Sequence, residues 1–187
     1  MSHLSELTDE ELARRVQDGN ARMFGVLVER YADKLSRYGR KFLFKEDDVE
    51  DLVQDVFIKA YVNIRGFDPS RRFSPWIYRI AHNEFINAMR KRGREPVSFI
   101  DLDTLLPHPA AKEATDAGAQ RQDMRRLLDR ALDRIGPKYR EPLVLFYFED
   151  LDYREIADVL RIPVSTVGVR LNRGRALLKR LVPPDSL

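Results

Sequence analysis

Apolar residues recur along this chain at steps of three and four, the spacing that places them on one face of an α-helix. No alternating apolar and polar stretch of useful length indicates a β-strand. The predicted helices cover residues 9–19, 21–44, 47–64, 74–92, 120–135, 138–148, 152–160 and 164–181. The pattern therefore predicts an all-α protein.

Capping residues support two of the predicted helix starts. Thr8 is followed three residues later by Glu11, the spacing of a capping box. Ser74 and Pro75 are consecutive, and they predict a helix with serine as the cap and proline in the first turn.

Residues 95–119 differ from the rest of the chain in composition. Pro96, Pro107, Pro109 and Gly118 interrupt a weakly periodic, alanine-rich stretch, which is typical of a linker. We therefore expect two small helical domains, residues 1–94 and 120–187, joined by a flexible linker over residues 95–119.

Composition excludes several classes of site. The chain has no cysteine, and its three histidines lie far apart in sequence, so we expect neither a metal site nor any other cofactor. No apolar run approaches the eighteen or so residues of a membrane span, and the polar N-terminus lacks the apolar core of a signal peptide. We expect a cytoplasmic protein without membrane insertion.

Charge is distributed unevenly, although the net value is only +3. Residues 46–55 carry acids and no base: Glu46, Asp47, Asp48, Glu50, Asp51 and Asp55. Residues 65–94 hold eight bases against two acids, and residues 161–182 hold six bases and no acid. Two basic blocks predict two contacts with a polyanion, and the acidic block predicts a separate, basic partner surface.

The second basic block has the pattern of a helix-turn-helix. Ile156, Ala157 and Leu160 form the inner face of a short helix, and Val167, Leu171 and Leu178 form that of the next. Arg161 occupies the turn, where a left-handed residue other than glycine costs roughly 1 kcal/mol. The outer positions carry side chains that can bond bases and phosphates. The alternative is a helical hairpin with a merely solvated basic face, which the absence of acids disfavours.

Two glycines within the last helix, Gly168 and Gly174, each cost up to about 1 kcal/mol relative to alanine. Close approach to a DNA backbone is one explanation for their presence.

Three strings resemble one family in the right order. DLVQDVFIKAY at residues 51–61, FSPWIYRIAHN at 73–83 and YREIADVLRIPVSTVGVRLNRGRALLKRL from residue 153 are similar to bacterial sigma factors of the extracytoplasmic-function group. The resemblance covers residues 9–182. It implies a non-enzymatic initiation factor whose partners are core RNA polymerase, promoter DNA and an anti-sigma protein.

The resemblance implies that the helix with the first string docks on the polymerase. The corresponding residues here are Asp47, Asp48, Asp51, Leu52, Gln54, Asp55 and Ile58. The alternative is a solvated acidic helix face, which the adjacent apolar match disfavours.

The resemblance also assigns the first basic block to recognition and melting of the −10 promoter element. Phe67 and Asn83 match positions that line a pocket for a flipped base, where an amide reads the base edge and a ring covers its face. Candidates for backbone contact are Arg71, Arg72, Arg79, Arg90, Lys91 and Arg92. Trp76 is expected in the core, and His82 is not expected to form a site.

The last helix is implied to read the −35 element. The candidate residues are Ser165, Thr166, Gly168, Val169, Arg170, Asn172 and Arg173. Gly168 and Val169 depart from the family pattern because neither offers a polar side chain. Asn172 and Arg173 remain as base readers, with Thr166 and Arg170 as phosphate contacts.

Two other functions are compatible with parts of the chain. A stand-alone helix-turn-helix regulator would need a ligand pocket or phosphoacceptor in the first ninety-five residues, where a basic helix and an acidic face occur instead. A hydrolase or nuclease could hold magnesium at Glu46, Asp47, Asp48 and Asp51. These acids lie in one helix, and neither a second ligand cluster nor a phosphate-binding glycine loop is evident.

Overall fold

The computed structural model describes residues 7–41, 46–91, 131–132 and 134–181. Within these ranges the regular elements are all helical, which confirms the all-α prediction. The N-terminal unit contains α1 (Asp9–Gln17), α2 (Arg22–Arg40), α3 (Glu46–Asn63), a 3₁₀ turn (Ile64–Gly66) and α4 (Phe73–Lys91). The C-terminal unit contains α5 (Pro137–Tyr147), α6 (Tyr153–Leu160) and α7 (Val164–Leu181).

The capping prediction is confirmed for α1. The Thr8 hydroxyl accepts from the Glu11 backbone N–H at 3.2 Å, and the Glu11 carboxylate accepts from the Thr8 N–H at 2.8 Å. The reciprocal bonds satisfy two N–H groups at this helix end.

The start predicted at Ser74 is wrong by one residue. Helix α4 begins at Phe73, whose backbone N–H donates to the Glu10 carboxylate of α1 at 2.9 Å. A carboxylate from another helix thus satisfies this N–H group, a tertiary contact that local sequence does not reveal.

Aromatic side chains dominate the centre of the N-terminal unit. The Tyr38 ring of α2 lies 5.3 Å from that of Tyr78 and 5.8 Å from that of Phe85, both on α4. All three side chains are fully buried. Their packing fixes the orientation of α4, which carries the candidate base-reading residue.

The helix-turn-helix prediction is confirmed in detail. Asp152 caps α6 by accepting from the N–H groups of Arg154 and Glu155. Arg161 closes this helix in the left-handed conformation, with φ 53° and ψ 47°. The inner residues of α6 and α7 are buried as predicted: Ile156, Ala157, Leu160, Val167, Leu171 and Leu178.

Gly174 allows α7 to approach α5 closely. A β-carbon added there would lie 2.7 Å from Leu143 Cδ1 and 3.2 Å from the Tyr139 carbonyl oxygen. The expectation that Gly174 allows close approach of a DNA backbone is therefore wrong. The space beside this glycine is occupied by α5.

Polar contacts join the two units. Arg37 of α2 donates to Glu149 at 3.1 Å, and Arg140 of α5 donates to the Lys41 carbonyl at 2.6 Å. Arg72 donates to the Glu155 carboxylate at 2.8 Å. In this conformation α6 therefore packs on α4, and Arg140 and Glu149 of the C-terminal unit contact the end of α2.

The predicted linker (95–119) and most of the predicted helix 120–135 lie outside the described residues. Among the helices that are described, none is long and apolar enough to cross a membrane.

Candidate nucleic-acid interface

A groove of about 400 Å³ opens between α3 and α4, at the end where the 3₁₀ turn connects them. Its lining residues are Lys59, Asn63, Gly66, Trp76, Ile80, Asn83 and Glu84. Asn83, predicted to read a flipped base, is half-buried on the groove wall. The groove combines an apolar side with polar groups, the composition that binding an unstacked base requires.

The Trp76 ring lines this groove, and two further aromatic rings support it. The Phe67 ring lies 5.3 Å from the Trp76 ring and 5.3 Å from the Phe73 ring. Phe67 is only 4% exposed, so it supports Trp76 from behind instead of lining the groove itself. Trp76 was expected in the core; it is half-buried, packs on Phe67 and also lines the groove.

Polar contacts hold both edges of the groove. The Gln17 amide of α1 donates to the carbonyls of Ile64 and Phe67, at 2.8 and 2.7 Å, and so fixes the connecting turn. On the opposite side, Lys59 of α3 forms an ion pair with Glu84 of α4, next to Asn83. The groove is thus pre-formed in the protein alone.

The predicted phosphate-binding cations of this unit differ in availability. Arg71, Arg79, Arg90 and Lys91 are exposed. The Arg72 side chain is about half exposed, but it donates to Glu155 and, at 3.0 Å, to the Asp150 carbonyl. Arg92 lies outside the described residues.

One face of α3 is exposed and carries most of the predicted polymerase-binding residues. Asp51, Gln54 and Asp55 are exposed, Asp48 and Leu52 are half-buried, and Ile58 is 61% exposed. Tyr61 and Val62 extend this face with two more exposed apolar side chains, which sequence reasoning missed. The side chain of Asp47 lies outside the described residues.

Helix α7 presents the predicted −35 residues unevenly. Ser165 is exposed, and Thr166, Val169, Asn172 and Arg173 are half-buried on the outer side. Gly168 is buried, and Arg170 is only 1% exposed. Arg170 is therefore inaccessible to DNA in this conformation. The prediction that it contacts a phosphate is not met here.

Arg170 is buried close to a carboxyl group. Burial raises the pKa of Glu141 to about 8, although Arg170 and Arg140 lower it. His82 lies 3.8 Å from this carboxylate, and its Nδ1 is 3.3 Å from the Tyr38 hydroxyl. Burial, with Arg161 nearby, lowers the pKa of His82 to about 4. His82 is thus part of the contact between the two units, consistent with the expectation that it forms no DNA-binding site.

Arg175 is among the outer residues of α7 that the sequence indicates can bond bases or phosphates, but the structure shows it bound within the protein. It donates from Nε to the Tyr147 hydroxyl at 2.8 Å and from Nη1 to Asn172 Oδ1 at 3.3 Å. The spacing of Asn172 and Arg175 on one helix could have predicted this contact. The tyrosine comes from another helix, so local sequence could not.

Comparison with known proteins agrees with this architecture. The family model for Sigma-70 region 2 matches residues 27–95, and that for Sigma-70, region 4 matches residues 125–178. The first match contains the groove and the exposed α3 face, and the second contains the helix-turn-helix.

Individual relatives match nearly the whole chain. The ECF RNA polymerase sigma factor SigW of Bacillus subtilis is 33% identical, over 94% of this chain and 97% of its own length. The ECF RNA polymerase sigma-E factor of Escherichia coli strain K12 is 32% identical, over 96% of each chain.

A solved structure supports the same relationship. The sigma factor RpoE in complex with the anti-sigma factor NepR, from Bartonella quintana, superposes with a TM-score of 0.62 at 26% identity, covering 84% of this chain and 95% of that one. The chain belongs to the ECF RNA polymerase sigma factors.

Proposed function

We propose that this sigma factor uses three surfaces: the groove between α3 and α4, the exposed face of α3 and the outer side of α7. Alternative sigma factors are not enzymes: they direct promoter-specific transcription initiation by the polymerase, and this chain is one of them. The observation that carries the proposal is the groove beside Asn83, which lies in the same unit as the exposed acidic face of α3. We assign docking on polymerase and melting of the −10 element to a domain of residues 1–94, and binding of the −35 element to a domain of residues 120–187. Residues 95–119 link the two domains.

The groove captures a base of the −10 element. The Asn83 amide can both donate to and accept from a base edge, and Trp76 offers a ring on which the base can stack. Phe67 contributes by supporting Trp76. Arg71, Arg79, Arg90 and Lys91 are exposed and contact the phosphates of the opened strand.

The exposed face of α3 docks on core RNA polymerase. Asp51, Gln54, Asp55 and Ile58 combine two carboxylates with a polar and an apolar group. Carboxylates steer the encounter with a basic surface, and the desolvated apolar side chain contributes to affinity.

Helix α7 reads the −35 element in the major groove. Asn172 and Arg173 contact base edges, while Ser165 and Thr166 bond phosphates. Arg170 and Gly168 are left out of this surface because both are buried.

Binding both promoter elements requires the two units to separate. The elements are centred about 25 base pairs apart, which corresponds to about 85 Å of duplex. In this conformation α6 packs directly on α4, and Arg72 is paired with Glu155. The linker of 25 residues reaches at most about 80–90 Å when extended, a length comparable with this spacing. The packed conformation is therefore a closed state that opens for promoter binding.

An anti-sigma protein is the regulatory partner that we propose, acting in the cytoplasm. The RpoE structure is a complex with an anti-sigma factor. A protein that keeps the two units together would hold Arg72 in its pair with Glu155 and so oppose promoter binding.

The test is the dependence of specific DNA binding on core polymerase. We expect the purified chain alone to bind promoter duplex only weakly, and the complex with core enzyme to start transcription selectively from a subset of a promoter library. Tight specific binding by the chain alone would favour a stand-alone helix-turn-helix regulator, and absence of affinity for core enzyme would contradict the proposal.

A further inference from the structure

Arg175 lies in a cluster of aromatic side chains beside the recognition helix. Its guanidinium lies 5.3 Å from the centre of the Phe146 ring and 5.7 Å from that of the Tyr147 ring. Its Nε donates to the Tyr147 hydroxyl at 2.8 Å, and its Nη2 lies 3.5 Å from the Tyr153 hydroxyl. Two rings and two hydroxyls from outside α7 thus hold this cation in one place.

The remaining nitrogen of this guanidinium, Nη1, faces Asn172. It donates to Asn172 Oδ1 at 3.3 Å. An arginine side chain has donors and no acceptor. The amide atom that faces it must therefore be the oxygen, because the alternative amide orientation would place two donors together. The contact consequently fixes which end of the Asn172 amide points away from Arg175.

An asparagine that reads DNA without such a contact can turn its amide either way. It can then donate to an acceptor or accept from a donor on the base edge. With its oxygen engaged by Arg175, Asn172 presents its NH₂ group outward. Guanine offers two acceptors in the major groove and thymine offers one, whereas cytosine offers only a donor.

We propose that Arg175 is a positioning residue that orients Asn172 as a hydrogen-bond donor, so that the factor selects an acceptor-bearing base, guanine above all, at one position of the −35 element. The inference rests on the proposed function of α7 and adds its specificity. Arg175 acts through Asn172: three of its five N–H donors face Tyr147, Asn172 and Tyr153, and these contacts hold the guanidinium beside the Asn172 amide.

The experiment is transcription by the complex with core polymerase from a library in which the −35 element is randomised. For the wild-type chain we expect guanine to exceed cytosine by about tenfold or more at one position. Asn172→Ala should abolish that preference. Arg175→Met should reduce it to within about threefold at the same position and leave the other positions unchanged.

Arg175→Lys distinguishes positioning from a phosphate contact. Lysine keeps the charge but lacks the planar fork of arginine. A positioning role predicts that lysine fails to restore the preference. If Arg175 binds phosphate instead, Arg175→Met should weaken all sequences uniformly, lysine should restore binding, and the preference should survive in every variant. That result would overturn the inference.

Two further variants, together with melting temperatures, test whether a lost base preference merely reflects a loss of folding. Tyr147→Phe removes one hydroxyl acceptor but keeps the ring, and we expect a partial loss of preference at the same position. Lys179→Met removes an exposed cation from the last turn of α7, and we expect no change of preference. Melting temperatures of all variants are measured alongside.

The result also separates this inference from the proposed function. If Asn172→Ala flattens one position and Arg175→Met does not, α7 reads the element but Arg175 does not orient Asn172. If Asn172→Ala changes no position while selective initiation persists, Asn172 is not a base reader, and the inference is overturned through its premise. Absence of any selective initiation by the wild-type complex would contradict the proposed function itself.

Discussion

The two surfaces proposed to bind DNA differ in shape and in how their polar groups are held. The groove between α3 and α4 is concave, is lined by the Trp76 ring and carries Asn83 on its wall. The outer side of α7 is convex, and its Asn172 is oriented by a neighbouring arginine.

The difference matches the state of the DNA that each surface meets. An unpaired base exposes its faces as well as its edge, so a ring and a cavity contribute to binding it. A base in duplex DNA exposes only its edge in the groove, so recognition depends on the direction of donors and acceptors. Base capture by the groove should therefore be most sensitive to removal of one side chain. Base selection by α7 should be most sensitive to loss of the orientation of the Asn172 amide.

The largest effect is expected from Asn83→Ala. Loss of the amide removes the base-edge contact in the groove, and promoter opening should fall by about 10- to 100-fold. Binding to core polymerase should remain, because Asn83 belongs to α4 and is not one of the exposed docking residues of α3. Run-off transcription and permanganate footprinting of the opened strand measure the effect.

Asn87→Ala is the matched control, since Asn87 is an exposed asparagine on the same helix. We expect it to retain full activity. Normal opening by Asn83→Ala would refute the assignment of the groove.

Features that depend on local pattern could be predicted from the sequence, and features that depend on tertiary contact could not. The left-handed Arg161 and the capping box at Thr8 follow from neighbouring residues. The start of α4 does not, because Glu10 of another helix binds its first N–H. The sequence does not show which arginines of α7 are accessible. Packing buries Arg170 and leaves Arg173 partly exposed. Of the groove, the sequence predicted the lining residue Asn83, whereas Phe67, predicted beside it, is buried behind Trp76.

Gly174→Ala tests whether this glycine serves packing or DNA. The added carbon would lie 2.7 Å from Leu143 in a buried contact, so we expect a loss of about 1–2 kcal/mol in the free energy of unfolding. Gly25→Ala is the comparison in the N-terminal unit. No atom outside its own helix lies within 4 Å of a β-carbon there, and alanine should stabilise α2 by about 0.5–1 kcal/mol.

Urea unfolding of both glycine variants provides the measurement. Unchanged stability of Gly174→Ala together with weakened −35 binding would instead favour the explanation by DNA approach.

The contact between the two units should make stability depend on pH. Burial raises the pKa of Glu141 to about 8, so the folded state binds more protons than the unfolded state up to that pH, and its stability falls as pH rises from about 4.5 to 8. Burial lowers the pKa of His82 to about 4, so its contribution to stability rises between pH 4 and 6.5. The two effects offset each other up to pH 6.5, and only the loss due to Glu141 remains above it.

We therefore expect the free energy of unfolding to fall by on the order of 1–2 kcal/mol between pH 6.5 and 8. Glu141→Gln keeps the shape and removes the proton, so its stability should be flat over this range. In His82→Gln the decline should begin below pH 6.5. Urea unfolding at steps of half a pH unit checks both, and a decline that persists in Glu141→Gln would show that another group titrates.

Among the three proposed binding surfaces, the smallest effect is expected on the exposed face of α3, which we propose docks on polymerase and contacts neither DNA element. Reversing two exposed charges with Asp51→Lys and Asp55→Lys should weaken binding to core polymerase by about tenfold, because exposed charges contribute modestly and mainly through steering. The loss should shrink as salt is added. The double reversal of Glu29 and Asp33 on α2 is a matched control, since both are exposed and have the same spacing of four. Equal affinity of the two double variants for core enzyme would contradict the docking face. If only the α3 variant loses affinity for core polymerase, the exposed face of α3 is the docking surface, distinct from the groove and from α7.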